Sequence, residues 1–281
     1  MKPMPIKNVI LCADDYGLNA AISQGIINLL QRQRLSAVSC LTTTASWQEH
    51  AAWLKPFQGQ AAVGLHFNLT EGQALSPAFI ERYGASFFQL PRLIIHAFLR
   101  RLEVAVLEQE CQAQLDRFVA DLGCWPDFID GHQHIQQLPQ VREAVLRVYE
   151  RSLRNRKAYL RSVSKAVPSR GVGGKIKQAI IYCCGSLGFQ RLLEKRTIPH
   201  NTAFAGIYSF KEVGAYPQMF PRFLKNIRNH GLIMCHPGLN PGEDCADTIA
   251  RARFQEYCYL SSEQFITDCQ AQGVHLTPFP F

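Results

Sequence analysis

The sequence predicts an α/β fold in which a mainly parallel sheet curls into a (β/α) barrel, either distorted or built from seven to eight strands. Short apolar runs recur along the 281 residues, and amphipathic helical stretches separate them. The number of these repeats favours a barrel over a division into two domains. An open doubly wound sheet is the alternative architecture.

Strand predictions rest on short apolar runs, which fall at residues 8–13, 36–43, 61–69, 127–134, 158–163, 231–236 and 273–279. Helical periodicity predicts helices between them, near residues 20–33, 46–55, 90–122, 138–151, 174–196, 217–230, 261–272 and in part of 243–258. No GxGxxG or GxxxxGK[ST] motif is present, which disfavours a nucleotide-binding fold. We interpret residues 1–281 as one domain.

The composition is that of a globular protein, with 47% hydrophobic and 19% charged residues. No apolar run reaches the roughly eighteen residues of a membrane span, and the N-terminus lacks the cleavage pattern of a signal peptide. Ten cysteines occur without a CxxC pair. Cys12, Cys40 and Cys235 lie in apolar runs, where buried free thiols are usual. We therefore expect a cytoplasmic location.

Positive charge is concentrated in a basic amphipathic segment, residues 151–196. It carries twelve Lys and Arg against one acid, Glu194, so its formal charge is +11 in a chain of net charge +8. The simpler interpretation of residues 173–196 is a helix, or two helices broken at Gly185 and Gly188, packed on the sheet. The competing hypothesis is peripheral contact with an anionic inner-membrane surface and a lipid-linked substrate.

Polar side chains occur where predicted strands end. In "ILCADDYGLN", Asp14 and Asp15 close the first strand. A helix cap would account for one acid, or for Asn19, but not for two acids. His66 lies late in the third strand, and His236 ends "GLIMCH" before a Pro-Gly turn. Because the carboxyl ends of barrel strands share one face, we expect these side chains to converge.

The stretch "DFIDGHQHIQ" adds a D-x-H-x-H triplet. In an extended strand, Asp130, His132 and His134 would project to the same face. A carboxylate with two histidines is a common ligand set for a divalent metal. A second carboxylate can act as a base and a further histidine as an acid, so the pattern indicates metal-assisted hydrolysis. The remaining histidines are interpreted as structural: His50, His96, His200, His230 and His275.

The motifs "ADDYGLN", "VGLHFNLTEG", "DGHQH" and "MCHPG", with the ending "RARFQEYCYLSSEQFITDCQAQGVHLTPF", resemble the YdjC family in the right order over nearly the whole chain. That family includes ChbG-like chitooligosaccharide deacetylases and HpnK-like hopanoid-associated deacetylases. The resemblance implies a (β/α)-barrel carbohydrate deacetylase that removes the acetyl group from an N-acetylated amino sugar such as N-acetylglucosamine.

The resemblance also implies individual roles. Asp15, His66 and His132 resemble the metal ligands. Asp14 resembles the general base, and His236 of the "HPG" motif resembles the acid. The family metal is Mg²⁺, although two histidine ligands would equally suit Zn²⁺.

Two further positions resemble sites of substrate binding. His134 either binds substrate or steadies His132, and Arg161 in "YLRSV" corresponds to an arginine that contacts substrate. The acceptor sugar and the oligomeric state, including a homo-oligomer, are left open.

Two other functions are compatible with the same residues. One is a metal-dependent phosphoesterase, in which the basic segment would hold the phosphate. The other is a non-catalytic, metal-stabilised barrel that binds glycans or nucleic acid. The basic segment has no interleaved aromatic platform, so we expect no nucleic-acid partner.

Overall fold

The computed structural model describes residues 6–169, 171–211, 214–240, 242 and 247–279, and a parallel β-sheet lies at its centre. Eight strands occur in these ranges: β1 (Lys7–Tyr16), β2 (Ala37–Cys40), β3 (Ala62–Phe67), β4 (Phe128–Gly131), β5 (Tyr159–Leu160), β6 (Phe204–Ala205), β7 (Gly231–Cys235) and β8 (Val274–Leu276). The strand order is β5-β4-β3-β2-β1-β7-β6, and β8 pairs with the beginning of β1.

The sheet curves into an incomplete barrel. Its two outer strands, β5 and β6, are only two residues long. Just beyond β5, Ala166 forms a parallel bridge with Phe204, and the Val167 amide donates to the Phe204 carbonyl at 2.8 Å. The predicted α/β barrel class is confirmed, with closure limited to this short bridge.

Eleven α-helices are present in the described ranges: α1 (Ala20–Gln31), α2 (Trp47–Leu54), α3 (Pro77–Tyr83), α4 (Leu90–Phe98), α5 (Val104–Leu122), α6 (Val141–Ser152), α7 (Gly171–Ile181), α8 (Leu187–Lys195), α9 (Tyr216–Asn226), α10 (Ala250–Ser261) and α11 (Glu263–Ala271). The single helix predicted over 90–122 is wrong, because the chain breaks there into α4 and α5. Sequence reasoning also missed α3 and β6. Part of the helix predicted within 243–258 is α10, while residues 243–246 lie outside the described ranges.

The strands bury side chains on both faces, as expected for a parallel sheet covered by helices. Along β1, Ile10 and Cys12 belong to a small apolar cluster inside the barrel. Val9 and Leu11, which alternate with them, belong to the larger cluster that includes the surrounding helices. The stacked rings of Phe128 and Tyr159 belong to the small cluster, with centroids 4.9 Å apart. The barrel interior is therefore packed with side chains.

The strand predicted over 127–134 ends earlier, at Gly131. Residues His132–Gln137 form a tight helical turn in which Gln133 and His134 have positive φ values of 55° and 62°. A Cβ atom on Gly131 would lie 2.8 Å from the backbone nitrogen of Gln136, so this close turn requires glycine. The prediction that Asp130, His132 and His134 share one face of an extended strand is wrong, because the chain leaves the strand before His132.

The basic segment is not one continuous surface. It comprises the end of α6, then β5, α7, a π-helical turn at Tyr182–Ser186 and α8, with a kink at Gly185, where φ is 107°. Arg161 is fully buried, whereas Arg151 and Arg196 pair with Glu108 and Glu150, which lie outside the segment. The local excess of positive charge is thus partly neutralised by neighbouring elements.

Nine cysteines fall within the described ranges, and all nine are free thiols. Cys12, Cys40 and Cys235 are buried, as predicted. Among the described helices, none combines the length and apolar character required to cross a membrane.

Candidate metal and catalytic site

The end of β1 explains why two adjacent aspartates serve one site. The pairing of β1 with β2 shifts register between Ala13 and Tyr16, and Asp15 has a left-handed backbone with φ of 67°. Neighbouring side chains of a regular strand point to opposite faces. This irregularity allows both Asp14 and Asp15 to line the same cavity. The cap of α1 is provided by Asn19, whose side chain accepts from the Ile22 amide, so neither aspartate is needed there.

Asp15, His66 and His132 form a buried group of three side chains whose ligand-type atoms lie within 4.8 Å of one another. The Asp15 Oδ1 atom is 2.9 Å from His132 Nδ1 and 3.3 Å from His66 Nε2. Ligand atoms bound to one cation at about 2.1 Å lie about 3.0 Å apart when they are at right angles. The spacing and the donor types therefore fit a divalent cation.

Each member of this group is oriented by a second partner. His66 Nδ1 lies 2.6 Å from Asp130 Oδ1, which also accepts from the Ser39 hydroxyl at 2.6 Å. A proton on Nδ1 leaves the Nε2 lone pair facing Asp15, the arrangement seen when a carboxylate orients a metal-bound histidine. His132 Nε2 lies 3.1 Å from the Glu71 carboxylate.

The second oxygen of Asp15 accepts from Arg253 at 2.7 Å, and Arg253 also donates to Asp247 at 2.6 Å. Burial raises the pKa of Asp15, but the charges of Arg253 and His132 outweigh that effect and hold the pKa well below its usual range. Asp15 is therefore an ionised carboxylate at neutral pH, as a metal ligand must be.

Asp14 is held by a fully buried arginine. Arg161 donates to both Asp14 oxygens, at 2.6 and 2.7 Å, and its Nη2 atom is 2.6 Å from Asp130 Oδ2. Cys12, Asp14 and Asp130 are also grouped closely enough to resemble metal ligands. The guanidinium already supplies the cation between these two carboxylates, so we assign this cluster to charge pairing.

His134 and His236 also line this cavity, and among the described residues neither imidazole pairs with a carboxylate. Burial lowers the pKa of His134 to about 3 and that of His236 to about 4, so both imidazoles are neutral at pH 7. The Nδ1 atoms of both have no hydrogen-bond partner in the described structure. Both rings line the cavity, so a ligand there can contact their accessible atoms.

The backbone of His236 is fixed by α10. Glu256 accepts from the His236 amide at 2.6 Å and from the Tyr208 hydroxyl at 2.5 Å, and burial raises the pKa of Glu256 to about 7. Lys177, on α7, lies over the Phe210 ring with its Nζ 3.6 Å from the centroid. Burial lowers the pKa of Lys177 to about 8. Glu256 and Lys177, whose pKa values are shifted towards neutrality, thus flank His236, the predicted acid.

These side chains open into a cavity of about 800 Å³ at the carboxyl ends of the strands. Its floor is polar, whereas its walls are largely aliphatic and aromatic, with Leu18, Leu90, Ile176, Ile180, Phe210 and Ile249 among them. Such a mixture of apolar walls and a few convergent polar groups is typical of a small-molecule site.

Six of the seven predicted site residues line this cavity: Asp14, Asp15, His66, His132, His134 and His236. Arg161 does not line it. The prediction that Arg161 touches substrate is corrected, because its guanidinium lies between Asp14 and Asp130 with no exposed surface. None of the five histidines interpreted as structural is among the described residues that line the cavity.

Several site residues were missed at the sequence level. Glu71 stands inside the motif "NLTEG", five residues after His66, and Arg253 and Glu256 lie three residues apart in "RARFQE". The i, i+3 spacing places Arg253 and Glu256 on one helical face. This spacing could have indicated that both face the same site. Lys177 carried no such signal, because its position depends on how α7 packs.

The fold and the site together define an α/β barrel-like protein with a buried carboxylate–histidine centre. The family model for YdjC-like proteins matches residues 8–271. The chain belongs to the YdjC-like family.

Similar proteins are named as deacetylases. One is a carbohydrate deacetylase of Danio rerio, 30% identical over 152 residues that cover 52% of this chain and 47% of the relative. Another is a chitooligosaccharide deacetylase of Proteus mirabilis (strain HI4320), 35% identical over 134 residues that cover 47% and 51%. The chain thus spans about half the length of the curated relatives it matches.

A similar solved structure comes from Enterococcus faecalis V583 and is described as a candidate cellobiose-phosphate cleavage protein. It matches with a TM-score of 0.69 and 18% identity, over 98% of both chains. This similarity supports the fold.

Proposed function

We propose that this protein is a metal-dependent hydrolase that removes the acetyl group from an N-acetylated amino sugar. The observation that carries the proposal is the Asp15–His66–His132 group, which lies beside Asp14 in one cavity of a YdjC-like chain. The names of the similar proteins support a carbohydrate amide as substrate.

Asp15, His66 and His132 would hold the cation, for which we propose Mg²⁺ by family resemblance or Zn²⁺ by the two nitrogen ligands. A bound divalent cation supplies polarisation of the amide carbonyl and a lower pKa for attacking water. Asp14 would accept the proton of the attacking water. Its contacts with Arg161 fix the carboxylate plane, while each oxygen keeps further capacity to accept a hydrogen bond.

His236 would protonate the departing amine. It is neutral at pH 7 in this structure, because burial lowers its pKa to about 4. Negative charge that develops on the substrate beside the ring would raise that pKa and allow the imidazole to take up and pass on a proton. His134 would contact the substrate, since its ring lines the cavity.

The phosphoesterase alternative has less support from the geometry. Of the residues in the basic segment, Lys177 alone contributes a charged side chain to the described cavity lining. The other cation there, Arg253, is already shared by Asp15 and Asp247. A doubly charged phosphate would therefore meet few free donors.

The test measures acetate release by the purified protein, with and without chelator, from chitobiose and from a lipid-linked N-acetylglucosamine. We expect release that requires a divalent cation. The Asp14→Asn variant should lose about 100-fold or more in turnover but keep most of its affinity for Mn²⁺ or Zn²⁺ measured by calorimetry. Asp15→Asn should lose both properties.

Asp116→Asn, an exposed position on α5, is the matched control, and circular dichroism would verify folding of each variant. Full activity of Asp14→Asn would contradict the assigned base. Cleavage of phosphate esters in place of N-acetyl sugars would favour the phosphoesterase. Metal and sugar binding without any turnover would indicate the non-catalytic alternative.

A further inference from the structure

Exposed apolar side chains are unevenly distributed over the molecule. Eleven large apolar side chains are exposed in the described ranges, and eight of them come from two short segments. The first segment, residues 90–101, contains α4, and the second, residues 171–192, contains α7, the π-helical turn and the beginning of α8. Together we call these two segments the cleft rim. Its exposed apolar residues are Ile95, Phe98, Leu99, Val172, Ile176, Ile180, Tyr182 and Leu187.

The two segments flank a common stretch of chain, residues 137–143. On one side, the Leu102 amide, just after the first segment, donates to Gln140, and Arg100 pairs with Glu143 at 2.9 Å. On the other side, Gln137 donates to the Ile181 carbonyl at 2.8 Å. The end of the first segment and the end of α7 therefore both contact this stretch.

The same segments border the cavity of the candidate site. Leu90, at the start of α4, and Ile176 and Ile180, on α7, line the cavity. Ile176 and Ile180 are each also 55% exposed, and Val172, one turn earlier on α7, is 76% exposed. Residues at i, i+4 and i+8 share one helical face, so this apolar stripe runs from the cavity wall out to the surface.

The cleft rim carries only positive charge. Residues 90–101 and 171–192 include six Lys and Arg and no acid: Arg92, Arg100, Arg101, Lys175, Lys177 and Arg191. Arg100 pairs with Glu143, and Lys177 turns towards the cavity. Arg92, Arg101, Lys175 and Arg191 are exposed, and no ion pair is recorded for them in the described structure. A partner of this surface must therefore combine apolar and anionic character.

A second copy of the chain fits this surface poorly. A twofold dimer would place the cleft rim against itself, so cations would face cations with no acid from either segment to compensate them. A nucleic acid also fits poorly, because most of the exposed apolar side chains are aliphatic and cannot stack on bases. An anionic lipid bilayer offers both acyl chains for the apolar residues and charged headgroups for the flanking Lys and Arg.

We propose that the cleft rim docks on an anionic lipid bilayer, with the cavity opening towards the membrane surface. The cleft rim has no apolar run long enough to span the bilayer, so the contact is peripheral. This surface draws on α4, which lies outside the basic segment, and leaves out much of that segment, including the buried Arg161. Docking requires no catalysis, so its test is independent of the proposed deacetylation.

The experiment is cosedimentation of the full chain with sucrose-loaded vesicles. Vesicles of phosphatidylcholine alone are compared with vesicles containing about 30 mol% phosphatidylglycerol, at about 50 mM and about 300 mM salt. We expect a partition coefficient at least about tenfold higher on the anionic vesicles at low salt, and lower binding at high salt.

Two pairs of variants locate the contact. Reversing Lys175 and Arg101 to Glu should lower anionic binding about 20-fold or more, whereas reversing the exposed Arg32 and Arg228 should have much less effect. Leu99→Ser with Val172→Ser should weaken binding, whereas Ile80→Ser, at an exposed apolar position on α3, should not. None of these residues lines the cavity, so acetate release from a free sugar should be unchanged.

Three results would overturn the proposal: negligible binding to both vesicle types, equal binding to both, or equal losses from cleft-rim and control variants. Light scattering of the protein without lipid supplies a further check. A dimer that Leu99→Ser with Val172→Ser converts to a monomer would show that the cleft rim joins two copies, which contradicts docking on a bilayer.

Discussion

The cavity floor and the cleft rim differ in how their residues find partners. On the floor, Asp15 contacts His132 and Arg253, and Asp14 shares the fully buried Arg161 with Asp130, neither of which lines the cavity. All six side chains are buried. On the cleft rim, the apolar side chains of α4 and α7 are half or more exposed at several positions. One region pairs its carboxylates with buried cations and histidines, whereas the other leaves apolar surface in contact with water.

This difference is the reason for proposing a different kind of partner for each region. The floor holds opposite charges in fixed positions, so it can orient a cation and a small polar substrate with little rearrangement. The exposed aliphatic groups of the cleft rim contribute little hydrophobic stabilisation to the folded chain. Exposed apolar patches usually mark interaction surfaces. The two proposals made above, deacetylation and docking on a bilayer, therefore rest on different parts of the molecule.

The largest expected effect comes from removing the Arg161 guanidinium, which pairs with two buried carboxylates. Arg161→Met would leave Asp14 and Asp130 buried without their shared guanidinium. Breaking a buried ion pair by removing one partner costs about 3–5 kcal/mol, so we expect a loss of that order in the free energy of unfolding. Urea denaturation monitored by circular dichroism would measure it.

The matched control is Arg82→Met on α3. Arg82 also pairs with a carboxylate, Glu103, but both side chains are about half exposed. Exposed pairs contribute about 0–1 kcal/mol. Equal losses in the two variants would show that the floor is not more dependent on its charges than the surface is.

The parts of the site that sequence reasoning predicted are those fixed by local pattern and strand topology. These residues, Asp14, Asp15, His66 and His236, lie at or just beyond the carboxyl ends of apolar strands. The carboxyl ends of parallel strands meet at one face whatever the details of packing. The α/β class follows from the same alternation of strands and helices. These predictions needed no knowledge of side-chain contacts.

The missed features depend on geometry that the pattern does not encode. The register shift at Asp15 and the tight turn after Gly131 redirect side chains that period-two reasoning had placed differently. Arg161 was expected to reach substrate, but the arrangement of two carboxylates around it is a tertiary contact between β1, β4 and the chain beyond β5. Similarly, Glu256 lies near the site because α10 packs beside the end of β7.

A smaller effect is expected from pH, through Glu256. Burial raises its pKa from 4.5 to about 7 in the folded chain. Between these two values the folded state binds more protons than the unfolded state, so stability falls as pH rises and becomes constant above about pH 8. Between about pH 5 and about pH 8, this carboxyl should lower the free energy of unfolding by about 2 kcal/mol.

Glu256→Gln removes the titrating group and keeps an amide oxygen that can accept one hydrogen bond. Its unfolding free energy, measured by urea denaturation with chelator present, should change less with pH than that of the natural chain by about 2 kcal/mol. Glu81→Gln, on the exposed surface of α3, should retain the natural pH dependence. An identical pH dependence in all three proteins would show that Glu256 does not titrate as a buried group.

The smallest expected effect belongs to the cleft rim. Phe98 is 50% exposed at the end of α4, whereas Leu93 on the same helix is fully buried in the core. Leu93→Ala should cost about 2–5 kcal/mol because it opens a cavity. Phe98→Ser removes a ring that is already half in water, so the free energy of unfolding should change by no more than about 0.5 kcal/mol. Thermal and urea unfolding of both variants would measure the contrast. A loss for Phe98→Ser comparable to that for Leu93→Ala would show that Phe98 stabilises the core. The cleft rim would then not differ from the cavity floor in how much its side chains contribute to stability.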